Sequence, residues 1–259
     1  GGHRQNFTYR GLATYNDNYA NPNNWRASAS YVTGSHSMKV GYQGAFQWAD
    51  SITVTNEPQM SYRFNQRSPN QFTIRMPNWK TSDRTMQHSL FVQDQWTLNR
   101  LTVQGALRYD HAYSWSRAEH NGTTDVSRFN AAPIAIERTD SVRGYDDVTP
   151  RFGAAYDVFG NGRTAVKMNV GKYLDAATND GNYVVNNPAN RIVDSFSRSW
   201  VDTNGNRVVD CDILDPGQQT DVDTCGALTG NALNFGQAGN NLTQVNPAIL
   251  RGWGVRPHV

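Results

Sequence analysis

Between Phe91 and Tyr113 the chain alternates apolar and polar positions along two arms that meet at Asn99-Arg100. With those two residues as a tight turn, Leu98 faces Leu101, Trp96 faces Val103, Val92 faces Leu107 and Leu90 faces Tyr109. Side chains alternate across a strand with period two, so all of these apolar groups fall on one face. Thr97, Gln95 and Gln93, with Thr102, Gln104, Ala106, Arg108 and Asp110, fall on the other. Each arm runs for about ten residues or more, against about 5–6 for a strand of a soluble protein. The pattern predicts a long antiparallel hairpin, oily on one side and wet on the other.

The same signature recurs. Trp25–Thr33, a turn at Gly34-Ser35-His36 and a return over Met38–Trp48 set Met38, Val40, Tyr42, Phe46 and Trp48 against Lys39, Gln43 and Gln47. Gly41 and Gly44 interrupt that return strand, as glycines do where a wall bends. A further pair is expected at Met60–Arg67 and Gln71–Met76 around Ser68-Pro69-Asn70, and another at Arg151–Phe159 and Arg163–Leu174 around Gly160-Asn161-Gly162. Residues 1–24 read as loop with at most one short strand. Steady periodicity lapses over 114–149 and again over 175–245, which read as long loops, and 246–259 reads as the start of a further strand. Strands of about 9–11 residues with this alternation, short turns at one end and long loops at the other, are what an outer-membrane barrel needs to cross its bilayer. The expected fold is therefore all-β: a single domain over 1–259, an antiparallel up-and-down meander from a transmembrane β-barrel, with hairpins in 25–113 and 150–174.

Composition agrees with strands and turns. Charged residues are 18% of the chain and only three are glutamates (Glu57, Glu119, Glu137), so polarity rests on Asn, Gln, Ser, Thr and Gly, which disfavour long helices. The net charge of +2 and the lack of a Lys/Arg run argue against a nucleic-acid partner. No run approaches the ~18 apolar residues of a membrane-spanning helix. The beginning at Gly1-Gly2-His3 and the ending at Arg256-Pro257-His258-Val259 read as cuts from something longer.

Catalytic signatures are thin. There is no Gly-x-Ser-x-Gly, His-Glu-x-x-His or phosphate loop, and the six histidines lack metal-ligand spacing. Gly160-Asn-Gly162-Arg-Thr-Ala165 imitates a dinucleotide fingerprint, yet a strand follows it where that motif must open a helix. No enzymatic role is expected. In the second long loop, Asp202, Asn204, Asn206, Asp210 and Asp212 place oxygen-bearing side chains at alternate positions, a spacing that can wrap Ca²⁺. The competing reading is an Asx-turn loop with solvated carboxylates. Cys211 and Cys225 are expected to pair in an oxidising compartment, against the alternative of two free thiols. Trp48, Trp96, Tyr109, Tyr113 and Trp115 fall near strand ends, as an interfacial aromatic girdle or as the core of a soluble sandwich. Asp94 is discordant: it shares the apolar face of its strand.

Phe91-Val-Gln-Asp-Gln-Trp96, Leu101-Thr-Val103, Leu107-Arg-Tyr-Asp110, Thr149-Pro-Arg-Phe-Gly-Ala-Ala-Tyr-Asp157 and Gly162-Arg-Thr-Ala-Val-Lys167, in this order, resemble the β-barrel of TonB-dependent outer-membrane receptors. Trp200-Val-Asp-Thr-Asn-Gly-Asn-Arg-Val-Val-Asp-Cys-Asp212 with Cys225-Gly226, and Arg251-Gly-Trp-Gly-Val-Arg-Pro257, resemble the Oar-like branch, whose members often carry a carboxypeptidase-regulatory-like domain. The likeness covers most of 25–257. It implies a bacterial outer-membrane location, contact with outer-membrane lipid, a bulky nutrient ligand and energy relayed from the TonB system through a plug that has no counterpart in these residues. Family barrels have about twenty-two strands; about eight are countable here, so a central slice of the wall is expected. Lys39, Gln43, Gln104, Arg108 and Lys167 would line the lumen. The alternative is a secreted all-β hydrolase or carbohydrate-binding domain with an aromatic platform; a purely adhesive surface segment is a third reading.

Overall fold

The computed structural model describes residues 13–56, 59–122, 133–174 and 187–237, with the backbone alone for 141–145. In chain order the strands are β1 (Thr14–Thr33), β2 (His36–Thr55), β3 (Met60–Asn65), β4 (Ser68–Arg75), β5 (Trp79–Leu98), β6 (Leu101–Ser116), β7 (Glu119–Asn121), β8 (Ile134–Ile136), β9 (Thr139–Asp157), β10 (Ala165–Gly171), β11 (Ser195–Val201) and β12 (Thr224–Cys225). Short 3₁₀ turns at Pro188–Arg191 and Gly230–Asn234 are the helical content among the described residues.

Six strands form one sheet in the order β1-β2-β5-β6-β9-β10, every pair antiparallel. This sheet is the wall. The predicted register holds at its centre: Leu98 pairs with Leu101, Trp96 with Val103, Val92 with Leu107 and Leu90 with Tyr109. Asn99, at φ 47°, supplies the left-handed backbone of the turn between them. The wall's other two hairpins close at the same end, through Gly34-Ser35 and through Gly160–Gly162, where both Asp157 carboxylate oxygens accept glycine N–H groups at 3.0 and 2.8 Å.

Several expectations are corrected. β1 begins at Thr14 inside the segment expected to be loop, and pairs with β2 over its whole length. An edge strand tolerates Pro22 and a run of asparagines because its ladder partner, not its own propensity, holds it extended. β9 begins at Thr139 and β6 continues to Ser116, so 114–149 is mostly strand. Register shifts between His111 and Tyr113 and between Tyr113 and Trp115 break the period of two there, which hides the strand from a pattern search. The β3–β4 turn is Gln66-Arg67, both left-handed at φ 50° and 71°, while Ser68 and Pro69 belong to β4. The long segment 175–245 holds β11, β12 and both 3₁₀ turns. The strand expected over 246–259 lies outside the described residues.

The β3–β4 hairpin stands apart from the wall. It joins β11 and β12 in a second sheet, ordered β12-β11-β4-β3, built at the end of the wall opposite the short turns. Its core is Phe72, Ile74, Phe196, Trp200, Cys225 and Leu228. A second cluster, Met76, Trp79, Ile136 and Ala189, seats this cap on the wall, with Trp79 Nε1–H donating to Ala189 O at 3.2 Å. Thr55 Oγ1–H donates to Met76 O and Met76 N–H to Asp194 O, tying the end of β2 to both halves of the cap.

Candidate functional site

Paired residues of an antiparallel ladder share a face, so the register assigns every wall side chain to one of two surfaces. On the first lie Met38, Val40, Leu90, Val92, Leu107, Phe152, Val166, Met168 and Val170, all exposed although apolar, with Val40, Val92 and Leu107 at 56, 51 and 53%. A soluble sandwich would gather these groups into its interior. They do not pack there: the two hydrophobic clusters among the described residues are both in or under the cap.

Aromatic and imidazole rings border this apolar band. Toward the short turns His36 stacks on Trp96 at 5.5 Å and Trp96 Nε1–H donates to Ser35 Oγ. Toward the cap Tyr42 and His88 share a 2.7 Å hydrogen bond, Tyr113 packs between His111 and Trp115 at 5.6 and 5.5 Å, and Arg84 lies 5.6 Å over the Trp48 ring. Tyr109, also expected in a girdle, is on the same face and donates its hydroxyl to Asp146. Rings with polar tips suit a boundary between hydrocarbon and water. Asp94 sits at the short-turn border, where His36 Nδ1 approaches its Oδ2 to 2.7 Å.

The opposite face is polar and carries all five residues expected to line a lumen. Lys39 pairs with Gln93, Gln43 with Ser89, Gln104 with Gln95, Arg108 with Thr149 and Lys167 with Ala155. Two are joined directly: Arg108 Nη1–H donates to Gln43 Oε1 at 3.2 Å. The same guanidinium donates to Asp110 Oδ1 at 2.8 Å and to Ser89 Oγ at 2.7 Å, and Ser89 donates to Asp110 in turn. Asp110 and Ser89 were not singled out in the sequence, though Asp110 shares Arg108's face at a spacing of two. Near the cap Asp83 accepts from Asn187 Nδ2 at 2.9 Å, so residues 187–191 lie against the upper end of this polar face.

In the cap Cys211 and Cys225 are disulfide-bonded, with Cα atoms 6.5 Å apart. Arg198 is buried on β11 and donates to the carbonyls of Asp212, Ile213, Asp215, Gly217 and Gly226, gathering the loop that follows β11 around one guanidinium. Asp223, also buried, accepts from Trp200 Nε1 at 2.8 Å, Thr203 N at 3.0 Å and Asp210 N at 3.1 Å. Burial pushes its carboxyl up, but these donors together outweigh burial and hold it below the ordinary aspartate range.

Four of the five residues considered for Ca²⁺ meet in one turn. Asp202 accepts from Gly205 N and Arg207 N, Asn204 and Asn206 accept from the N–H groups two residues on, and both Asn amides donate to Asp210 Oδ2 at 2.7 Å. Asp212 turns instead to Leu214 N. These oxygens accept from backbone and amide N–H groups, the hydrogen-bond pattern of an Asx-turn loop. No group of three or more His, Cys, Asp or Glu able to hold a metal occurs among the described residues.

Comparison with known families places residues 2–251 in the outer membrane beta barrel domain. The chain belongs to that family. No curated protein and no solved structure matches it. As an outer membrane β-barrel domain the protein resides in the bacterial outer membrane, and its two faces take on physical meaning. An apolar band flanked by rings is the outer surface such a barrel needs. No helix among the described residues is long and apolar enough to cross a membrane; the crossing is made by strands.

Proposed function

We propose that the chain forms a sector of the wall of a TonB-dependent outer-membrane receptor of the Oar-like type, which takes up a bulky nutrient. The observation that carries this reading is the openness of the six-stranded sheet among the described residues: β1 and β10 are its edges there and do not pair with each other. Unpaired edges in lipid cost several kcal/mol per exposed backbone group. A six-stranded arc with free edges therefore belongs to a wider barrel, and barrels of about twenty-two strands are those that hold a plugged lumen for large solutes. Motif order along 91–167 and 200–226 supports the same assignment.

In this reading Lys39, Gln43, Gln104, Arg108 and Lys167 line the conduit, and the Arg108–Asp110–Ser89–Gln43 network fixes the position of its central positive charge. The cap stands on the external side as the platform that meets the nutrient first, with residues 187–191 lying over the polar face. The wall itself carries out no chemical step. The test is co-purification of the complete gene product, solubilised from outer membranes, with the periplasmic domain of TonB. Retention of that domain is expected, and a complete product that fails to retain it at low salt overturns the reading.

A further inference from the structure

Above the apolar band, on the lipid side of the wall, lies a pocket of about 440 Å³ lined by Phe46, Arg84, Trp115, Arg117, Ala118 and Arg138. Its floor is aromatic: the Phe46 and Trp115 rings stack at 6.2 Å and 24°. Three guanidinium groups surround that floor, and Arg138 lies 5.3 Å over the Trp115 ring. We propose that this pocket binds the phosphate group of an anionic lipid of the outer leaflet.

Height is the first argument. An apolar band about 25 Å tall, crossed by strands tilted about 35–45° at roughly 3.4 Å per residue, takes about ten residues. Counted from the short-turn border, where Trp96 pairs with Val103, that band ends near Tyr113 on β6, and Trp115 stands at its upper edge, paired with Arg84 on β5. This is the depth at which the polar headgroups of a bilayer begin.

Side is the second. Phe46, Arg84 and Trp115 occupy positions of the lipid-facing surface, continuous with Tyr113, Leu107 and Val103 below them on β6. A lipid whose chains run down the band presents its headgroup at the pocket without leaving the leaflet. A soluble anion has no such continuity to exploit.

Charge is the third. Arg84 is already held by Asp50, at 2.7 and 3.3 Å, with its side chain 8% exposed, so it is a fixed wall of the site. Arg138 touches Asp140 only at 3.5 Å, both ends being open to solvent. Arg117 is exposed and makes no side-chain ion pair among the described residues. Three cations thus meet two carboxylates, and the two arginines with slack are the exposed ones. Guanidinium is the group whose planar fork matches phosphate oxygens in pairs, and basic pockets at headgroup level bind anionic lipids.

Native mass spectrometry of the full-length protein in detergent tests this, with phosphatidic acid as probe and phosphatidylcholine as the uncharged-net control. The wild type is expected to retain phosphatidic acid over phosphatidylcholine, and an Arg117→Gln/Arg138→Gln variant to lose affinity by about tenfold or more, having lost two charge-assisted contacts. Arg100→Gln/Arg163→Gln, at the opposite end of the wall, is expected to bind as the wild type does. Unheated gel mobility checks that each variant is folded. Equal binding by the Arg117/Arg138 variant overturns the proposal. So does full displacement of the lipid by inorganic phosphate, which makes the pocket a soluble-anion site.

Discussion

His36 and Asp94 meet on the lipid face, with Nδ1 2.7 Å from Oδ2 and the imidazole stacked on Trp96. They lie on neighbouring strands close to the short turns, and each side chain is 39% exposed. A carboxylate on an oily strand is thus placed where the bilayer ends and given a donor. A pair this open to solvent contributes about 0–1 kcal/mol, so Asp94→Ala is expected to be nearly neutral in stability. Depth decides the cost of a charge: Leu107→Arg, mid-band, is expected to destabilise by about 2–4 kcal/mol, and Leu98→Arg, at the turn, by about 0–1 kcal/mol. Urea titration of the reconstituted protein, read by unheated gel mobility, separates the two. Equal costs would remove the bilayer from its assigned position.

Gly44 and Trp25 form a second matched pair across β1 and β2. A Cβ on Gly44 would clash with Trp25 Cε2, Cζ2 and Nε1, so the indole lies over the glycine. Gly44→Val is expected to cost about 1–3 kcal/mol through overpacking. In a Trp25→Ala background the same change should cost far less, because the three atoms nearest that Cβ all belong to the indole. A double-mutant cycle measured by urea unfolding gives the answer, and additivity would refute the packing argument.

Asp223 predicts an acid response of the cap. Its folded pKa is depressed by its donors, so the stability it contributes is present above the unfolded value of about 3.9 and is lost as pH falls through the lower folded value. Amide exchange at Thr203 and Asp210 should therefore accelerate in strong acid before the wall strands respond. Asp223→Asn places an amide among N–H donors and leaves at least one unpaired, at about 1–3 kcal/mol. It should also flatten the acid response. Asp221→Asn, an exposed neighbour, serves as control.

Arg198 and the disulfide hold the same loop by different means. Arg198→Lys keeps the charge but loses the fork that reaches five carbonyls. Limited proteolysis within 202–222 is expected to rise sharply in that variant. Reduction of Cys211–Cys225, which closes a span of 14 positions, should raise it too, by an amount corresponding to about 3 kcal/mol of loop entropy. Neither change should alter the wall, because both act on the cap alone.

What the sequence disclosed follows the membrane. Inside the apolar band, hydrocarbon on one side and water on the other force strict alternation, and there the β5–β6 register and the Asn99-Arg100 turn were readable residue by residue. Above the band that constraint lifts. β1 could be asparagine-rich over 16–24, and β9 could open on Thr139-Asp-Ser with bulges opposite, so neither announced itself. β11 does alternate, with Phe196, Arg198 and Trp200 buried between exposed serines, but a buried arginine masked the pattern. The pocket arginines come from three separate segments, and the pairing of Trp115 with Arg84 on one side and with Asp140 on the other brings them together.

The cap's ladder has a consequence in time. Thr73 and Ser197 touch across 124 positions of sequence, whereas each wall hairpin joins neighbours. Contacts between distant positions must wait for the chain between them to be placed, and such pairings form slowly. The cap is thus a keystone, set only once the four staves between its halves, β5, β6, β9 and β10, stand side by side. Its formation is a receipt that the stretch of wall between its two halves has been laid correctly.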